Sequence, residues 1–113
     1  MEENLVKKKC KPCEDKTSAL AHGKLTDLKE KINQWNLVED THLEKTLKFK
    51  DFGEALVFVN KVGEIAENDN HHPDIKIHDW NKVTLTLSTH SIGGLSENDF
   101  ILASKIDELN RVD

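Results

Sequence analysis

The sequence has no long apolar run and no surplus of basic residues. No apolar stretch approaches the roughly 20 residues that a membrane-spanning helix requires, and the N-terminus lacks the apolar segment of a secretory signal. The formal net charge of -5 and the pI near 5.7 offer no basic face for nucleic acid. The basic run Lys7-Lys8-Lys9 is interpreted as part of a solvated tail. We therefore expect neither a membrane nor a nucleic-acid partner.

Cysteine is scarce, with a single Cys-x-x-Cys pair formed by Cys10 and Cys13. No βαβ pattern follows the pair, which argues against a thioredoxin-like redox site. No second pair completes a four-cysteine zinc site. Thiols without a catalytic role are the favoured interpretation, and a metal or redox role stays open. This use of cysteine favours a reducing, cytoplasmic compartment.

A chain of 113 residues favours a single domain with a small core. Hydrophobic residues make up 36% and charged residues 33%, so the stability margin is expected to be modest. Residues 1–23 are polar and rich in lysine, and Pro12 and Gly23 interrupt them. They are predicted to form an N-terminal arm. Residues 24–113 are predicted to form the one folded domain.

Periodicity predicts a helix followed by a β-hairpin in the first half of that domain. The helix is predicted after Leu25 with Thr26 as its N-cap, because apolar residues then recur at helical spacing. Residues 36–39 are a weak strand candidate. Apolar and polar residues alternate from position 42 to 49, as in a half-buried strand. Residues 39–41 would form the turn.

A longer helix and a second hairpin are predicted next. The helix runs from Asp51, its N-cap, to about Asn68, because apolar residues form a wide stripe along it. Pro73 favours extended backbone in the residue before it. Strands are predicted over residues 75–78 and 82–88, with a turn between them.

The last helix begins with a capping-box pattern, with Ser96 as N-cap and Asp99 three residues later. The order helix, strand, strand, helix, strand, strand, helix, with short hairpin links, predicts a two-layer α+β fold. Its four-stranded antiparallel sheet has helices packed on one face. An open sheet of this kind leaves two edges unpaired, so self-association into a homodimer or homotetramer is also predicted.

Three histidines at positions 71, 72 and 90 are the candidate catalytic residues. Imidazole has an unperturbed pKa of about 6.5, so a cluster of such groups can give and take protons near neutral pH. A helix end and a strand end can bring their two loops together. One alternative is a loop feature without chemistry, and the other is a metal site with three nitrogen ligands. Joint ligation by His71 and His72 is awkward because adjacent residues of an extended chain point to opposite faces.

Acidic and hydroxyl side chains near these loops have both a structural and a functional interpretation. Asp99 either caps the last helix or orients a histidine. Glu67 is either a solvated helix-end residue or a supporting carboxylate. Trp80 is favoured as a structural aromatic. Ser88 and Thr89 either end a strand or offer hydrogen bonds to a polar ring.

A longer pattern joins these residues and resembles the pterin-4a-carbinolamine dehydratase family. It covers roughly residues 25–109. The matching segments are Phe49-x-x-Phe52-x-x-Ala55, Phe58, Ala66-Glu67-x-x-x-His71-His72-Pro73-Asp74, Trp80, residues 83–87, Thr89-His90-x-x-x-Gly94-Leu95-Ser96-x-x-Asp99 and Leu102-Ala103. His-His-Pro alone is a weak motif, whereas these spacings together are specific.

The resemblance implies the same α+β fold and an enzyme that dehydrates 4a-hydroxytetrahydropterin to quinonoid dihydropterin, in tetrahydropterin recycling. It implies no metal and no organic cofactor. The family's histidine trio falls on His71, His72 and His90, and its acidic partner on Asp99. Its pterin contacts fall on residues 70–72 and 88–90, of which Asn70 replaces an acidic residue found in some members.

Histidine acid–base chemistry suits such a reaction, because hydroxide leaves only as it gains a proton. General acid–base help of this kind contributes about 10²–10⁴-fold. The hypothesis assigns most proton transfer to His72 and His90, and binding of the pterin to His71. A competing interpretation is a non-catalytic dimerisation cofactor for transcription, which animal members of the family also are. A zinc hydrolase is the other competing enzyme.

Overall fold

A computed structural model describes residues 22–32, 34–89 and 92–109 of the chain. Its elements alternate in the predicted order, which confirms the α+β fold class. They are helix α1 (His22–Lys29), strands β1 (Asn36–Val38) and β2 (His42–Lys48), helix α2 (Phe52–Asp69), strands β3 (Asp74–His78) and β4 (Lys82–Leu87), and helix α3 (Glu97–Leu109). Most of the predicted arm, with Cys10 and Cys13, lies outside the described residues.

The four strands form one antiparallel sheet in the order β1-β2-β4-β3. The connection from β2 through α2 to β3 skips one position in the sheet, and β4 fills it. Leu43 lies opposite Leu87, and Lys45 lies opposite Leu85. Because side chains alternate across a strand, these pairs share the face that carries the helices.

Three-residue turns, residues 39–41 and 79–81, close both hairpins at the predicted places. Glu39 and Asp40 have φ values of 51° and 58°, and Asp79 and Trp80 have φ values of 50° and 57°. Paired left-handed residues match the twist of an antiparallel hairpin. The side chain of Trp80 is exposed, which agrees with a turn residue rather than a core residue.

Helix α2 begins as predicted, whereas α1 does not. The Oδ1 of Asp51 accepts a hydrogen bond from the Glu54 amide at 2.8 Å, so Asp51 is the N-cap of α2. Helix α1 begins at His22, and Thr26 lies inside it. The Thr26 hydroxyl donates to the carbonyl of Gly23 at 2.9 Å, a bond that threonine makes within a helix. The prediction of Thr26 as N-cap was therefore wrong.

The core fills the space between the sheet and the helices. Fully buried apolar side chains from α1, α2, α3 and the two central strands form one cluster. Lys45 lies on this face of the sheet, and only 6% of the residue is exposed. Its Nζ and the Nε1 of Trp35 each donate to Oδ1 of Asp107 at 2.9 Å. Among the described helices, none combines the length and apolar character needed to cross a membrane.

Candidate active site

A histidine and a buried carboxylate meet at the end of the sheet. The Nε2 of His71 lies 2.6 Å from Oδ1 of Asp99. The Asp99 side chain is fully buried, and 13% of the His71 side chain is exposed. Because a carboxylate oxygen can only accept, Nε2 is assigned as the protonated nitrogen of this ring. The other ring nitrogen, Nδ1, is then the one available for proton exchange.

Two further donors hold the Asp99 carboxylate. Its Oδ2 accepts hydrogen bonds from the Thr89 hydroxyl at 2.7 Å and from the Ser96 amide at 3.0 Å. The Ser96 hydroxyl lies 2.8 Å from that of Thr89, whose own proton is given to Asp99. Ser96 therefore donates to Thr89, and Thr89 donates to the carboxylate. This buried chain fixes the carboxylate that orients the imidazole.

The bond from the Ser96 amide to Asp99 is half of the predicted capping box at the start of α3. Asp99 makes both of the contacts that its two interpretations require, one to the helix start and one to a histidine, and its supporting role at the site stays a prediction. Each of its oxygens serves one of the two tasks, because Oδ1 faces His71 and Oδ2 faces the helix start.

The C-terminal end of α2 positions His71 beside the Asp99 carboxylate. Asn70 has a left-handed backbone with φ of 52°. Its amide donates to the Glu67 carbonyl at 3.3 Å, and the His71 amide donates to the Ala66 carbonyl at 3.2 Å. These bonds are those of a Schellman motif, in which asparagine is one of the tolerated residues. Asn70 therefore has a structural role that the sequence pattern did not indicate.

His72 and Glu67 form a second pair in a different environment. The Nε2 of His72 lies 2.6 Å from Oε1 of Glu67, and their side chains are 54% and 79% exposed. They line an open groove of about 1000 Å³ between α2 and the edge strand β3. Glu67 therefore contacts a histidine, but solvent weakens a pair this exposed, and its supporting role stays a prediction.

Ser88 and Thr89 line a smaller cavity on the other side of the β4 end. The Thr89 amide donates to the Gly94 carbonyl at 2.7 Å, which folds the following loop back on itself. The cavity has a volume of about 200 Å³. Its lining also includes His42, a residue that the sequence pattern did not single out. His42 begins β2, and only the sheet register places it beside Ser88.

The predicted site residues thus fall into one connected group and one neighbouring pair. His71, Asp99 and Thr89 are linked by hydrogen bonds, and Ser96 joins them. His72 and Glu67 form the neighbouring pair, and His72 directly follows His71 in the chain. His90 lies outside the described residues, so the predicted meeting of all three histidines is untested.

Because His90 lies outside the described residues, the metal-site alternative can be tested only in part. Within residues 22–32, 34–89 and 92–109, no group of three or more His, Cys, Asp or Glu side chains is arranged to hold a metal ion. The metal set considered from the sequence includes His90, which that search does not cover. Thr89, directly before it in the chain, donates to the carboxylate that holds His71.

Fold and site together define a small two-layer α+β protein with a carboxylate-held histidine at the end of its sheet. Residues 18–109 match the family described as pterin 4 alpha carbinolamine dehydratase. An Arabidopsis thaliana protein named pterin-4-alpha-carbinolamine dehydratase 2, mitochondrial, is 43% identical over 110 residues, covering 94% of this chain and 59% of its own. An Alkaliphilus metalliredigens protein, provisionally given the same family name, is 43% identical over 106 residues, covering 93% of this chain and 95% of its own. The chain belongs to the pterin-4a-carbinolamine dehydratase family.

Solved structures agree with this assignment. A protein from Brucella melitensis, described as a transcriptional coactivator/pterin dehydratase, superposes with a TM-score of 0.75 at 29% identity. The match covers 81% of this chain and 98% of the other. A pterin dehydratase-like protein described as a RuBisCO assembly factor in the alpha-carboxysome has a TM-score of 0.59 at 19% identity, covering 72% and 94%. The second likeness shows the shared fold alone.

Proposed function

We propose that this protein removes water from a 4a-hydroxytetrahydropterin to give the quinonoid dihydropterin, through histidine acid–base chemistry without a metal or organic cofactor. The reaction would return reduced pterin to aromatic amino acid hydroxylases in the cytoplasm. The proposal rests on family membership and on the pair formed by His71 and the buried Asp99.

The geometry of that pair supports a proton-transfer role for His71. With Nε2–H held by Asp99, the Nδ1 atom can accept a proton from a ring nitrogen of the substrate. The resulting imidazolium is stabilised by a carboxylate that three donors keep in place. This favours a larger share of the chemistry for His71 than the sequence-based hypothesis assigned to it.

The second proton goes to the leaving hydroxyl. As the C4a–O bond breaks, the oxygen takes a proton and departs as water, while electrons from the adjacent ring nitrogen stabilise the cation left behind. We assign the donation to His72, whose ring is held by Glu67, or to His90, which follows Thr89 in the chain. Backbone and side-chain groups of Asn70, Ser88 and Thr89 would complete the contacts to the pterin.

Dehydration kinetics of the purified chain test the proposal. We expect it to accelerate loss of water from a 4a-hydroxytetrahydropterin generated in situ, followed by the absorbance of the quinonoid product. Replacing His71 by alanine should lower kcat by about 10²-fold or more, since general acid–base catalysis contributes about 10²–10⁴-fold. Replacing His72 or His90 should also lower kcat.

The matched control is His78→Ala, because His78 lies in β3 and bonds to Thr84 on the outer face of the sheet. It should keep the activity of the unaltered chain. No acceleration over the spontaneous reaction, or near-full turnover in the His71, His72 and His90 variants alike, would refute the proposal.

An interaction role is the second candidate, because the Brucella melitensis protein is described as a coactivator as well as a dehydratase. Self-association into a dimer or tetramer is proposed with either function. A purified chain that associates and binds partners but has no dehydration activity would favour the interaction role over the enzyme.

A further inference from the structure

The C-terminal end of α2 carries a buried carboxylate at a place where a helix favours the opposite charge. Asp69 is the last residue of α2, and only 4% of its side chain is exposed. The C-terminus of a helix has a partial negative charge, so an acidic side chain is unfavourable there. The last turn of α2 contains no basic residue. A buried carboxylate in this position therefore needs a cation from another element of the fold.

Helix α3 supplies that cation. The Nζ of Lys105 donates to Oδ2 of Asp69 at 2.5 Å, and 20% of the lysine side chain is exposed. A charge-assisted hydrogen bond between largely buried groups is stronger than an exposed ion pair, because solvent and salt screen it less. The pair therefore fixes how closely the end of α2 approaches α3.

The same helix contacts the chain again two residues further on. Oδ1 of Asp99 in α3 accepts the hydrogen bond from Nε2 of His71 at 2.6 Å. A single residue, Asn70, lies between Asp69 and His71, and its left-handed backbone with φ of 52° turns the chain out of α2. Helix α3 thus holds both sides of a one-residue turn, one side through Lys105 and the other through Asp99.

The position of the His71 ring consequently depends on both contacts. Its Nε2 reaches Asp99 only when the end of α2 lies at the correct distance from α3. Without the ion pair, the last turn of α2 is free to move away from α3 so that the Asp69 carboxylate gains water. A displacement of about 1 Å at a catalytic group can lower a rate by about 10²-fold, so a small movement is sufficient to matter.

We propose that Asp69 and Lys105 are positioning residues, whose ion pair holds the end of α2 where His71 meets Asp99. The inference rests on the proposed function for the reaction that His71 assists. Both residues act through His71 and are assigned no contact with the substrate. Loss of either charge should therefore lower kcat by about tenfold or more, and should change KM by less than about twofold.

Dehydration kinetics of charge variants test the proposal, at a temperature where circular dichroism shows each variant to be folded. Asp69→Asn and Lys105→Met each remove one charge at similar side-chain length, and both should show the fall in kcat. Lys105→Arg keeps a cation that can donate to the carboxylate, so it should retain most of the activity. If Lys105→Met does not fold, Asp69→Asn decides the test, because asparagine keeps the shape of the aspartate.

Asp107→Asn is the matched control, because it weakens a comparable ion pair on the same helix. Asp107 lies in α3 with 17% of its side chain exposed, and its Oδ1 accepts from Lys45 and from Trp35 rather than from α2. The variant should lose stability, as the Asp69 variant does. It should nevertheless keep the kcat and KM of the unaltered chain, because the end of α2 stays in place.

Nuclear magnetic resonance of the ¹⁵N-labelled imidazoles follows His71 without any turnover, and the spectrum of His71→Ala assigns its signals. The unaltered chain should show two distinct ring nitrogens, with the proton on Nε2. Asp69→Asn and Lys105→Met should move both signals towards the averaged values of a solvated histidine. Lys105→Arg and Asp107→Asn should leave them unchanged.

These two readouts separate the positioning role from the proposed function. Shifted His71 signals in a chain that has no dehydration activity would support the positioning role and refute the enzyme. Unchanged kcat and unchanged His71 signals in the charge variants would overturn the positioning role and leave the enzyme standing. An equal loss of kcat and equal signal shifts in Asp107→Asn would also overturn it, because the effect would then come from general loss of stability.

Discussion

Asp99 is the residue on which most of the candidate site depends. Its two oxygens join His71 on α2's C-terminal side to Thr89 at the end of β4 and to the first turn of α3. A buried acceptor-only group with three donors cannot be exchanged without leaving some of them unpaired.

Asp99→Asn should lower kcat by about 10²-fold or more, in the range expected for lost acid–base catalysis. The amide nitrogen of asparagine can donate to Nε2 of His71, which favours the wrong tautomer of the ring. Dehydration kinetics at saturating substrate measure the effect. Asp51→Asn is the control, since asparagine also caps a helix and Asp51 is remote from the site. Equal rates for both variants would contradict the role of Asp99.

The sequence anticipated the identity of these residues better than their partners. The spacing of His71, Thr89 and Asp99 matched a family pattern, and the capping box at Ser96 was visible. The hydrogen bonds from Ser96 to Thr89 and from Thr89 to Asp99 could not be predicted, because they depend on how the end of β4 packs against α3. His42 opens the stretch in which apolar and polar residues alternate, and nothing local in the sequence distinguishes it from the other histidines.

At the scale of elements, the contact between α2 and α3 includes a largely buried ion pair. The Nζ of Lys105 lies 2.5 Å from Oδ2 of Asp69. The Asp69 side chain is 4% exposed and that of Lys105 is 20% exposed. This pair ties the end of α2, which positions His71, to the middle of α3.

Asp69→Asn should lower the free energy of unfolding by about 1–2 kcal/mol, because it leaves a partly buried ammonium group with a weaker partner. Urea denaturation followed by circular dichroism measures this change. Asp79→Asn is the matched control: Asp79 is 67% exposed and 3.6 Å from Lys82, so its loss should cost less than about 0.5 kcal/mol. Similar values for the two variants would show that the α2–α3 pair contributes little.

Local signals predicted those elements whose ends depend on a single side chain or turn. Asp51 began α2 and the paired left-handed residues closed both hairpins, because caps and tight turns involve neighbours in sequence. Helix α1 was misplaced at Thr26 since its polar first turn has no apolar stripe to reveal it. Its buried residues are Leu25 and Leu28.

At the scale of the molecule, α2 carries apolar side chains on its exposed surface as well as on the face that packs against the core. Ala55, Phe58 and Val62 are buried, whereas Phe52, Leu56 and Val57 are exposed. Exposed apolar residues grouped on one helix are typical of a contact surface. Among the described strands, β1 and β3 each pair on one side only. Together with these edges, the exposed apolar residues support the proposed association with a second copy of the chain.

Light scattering at micromolar concentration should give a mass of two or four times 12.9 kDa. Leu56→Gln should lower the measured mass, or raise the protein concentration at which the chain associates. The reason is that burial of an exposed leucine favours association. Glu64→Gln, also exposed on α2, should leave it unchanged. A monomer in the unaltered chain would contradict self-association, and an unaffected Leu56 variant would exclude this helix face as the contact.

Because the start of α3 and the ring of His71 share one carboxylate, local melting of α3 would disturb the proposed active site. If the first turn of α3 frays, Asp99 moves with it and the imidazole loses its anchor. On gentle heating, catalysis should therefore fail before the sheet does, and amide exchange at residues 96–99 should accelerate over the same interval.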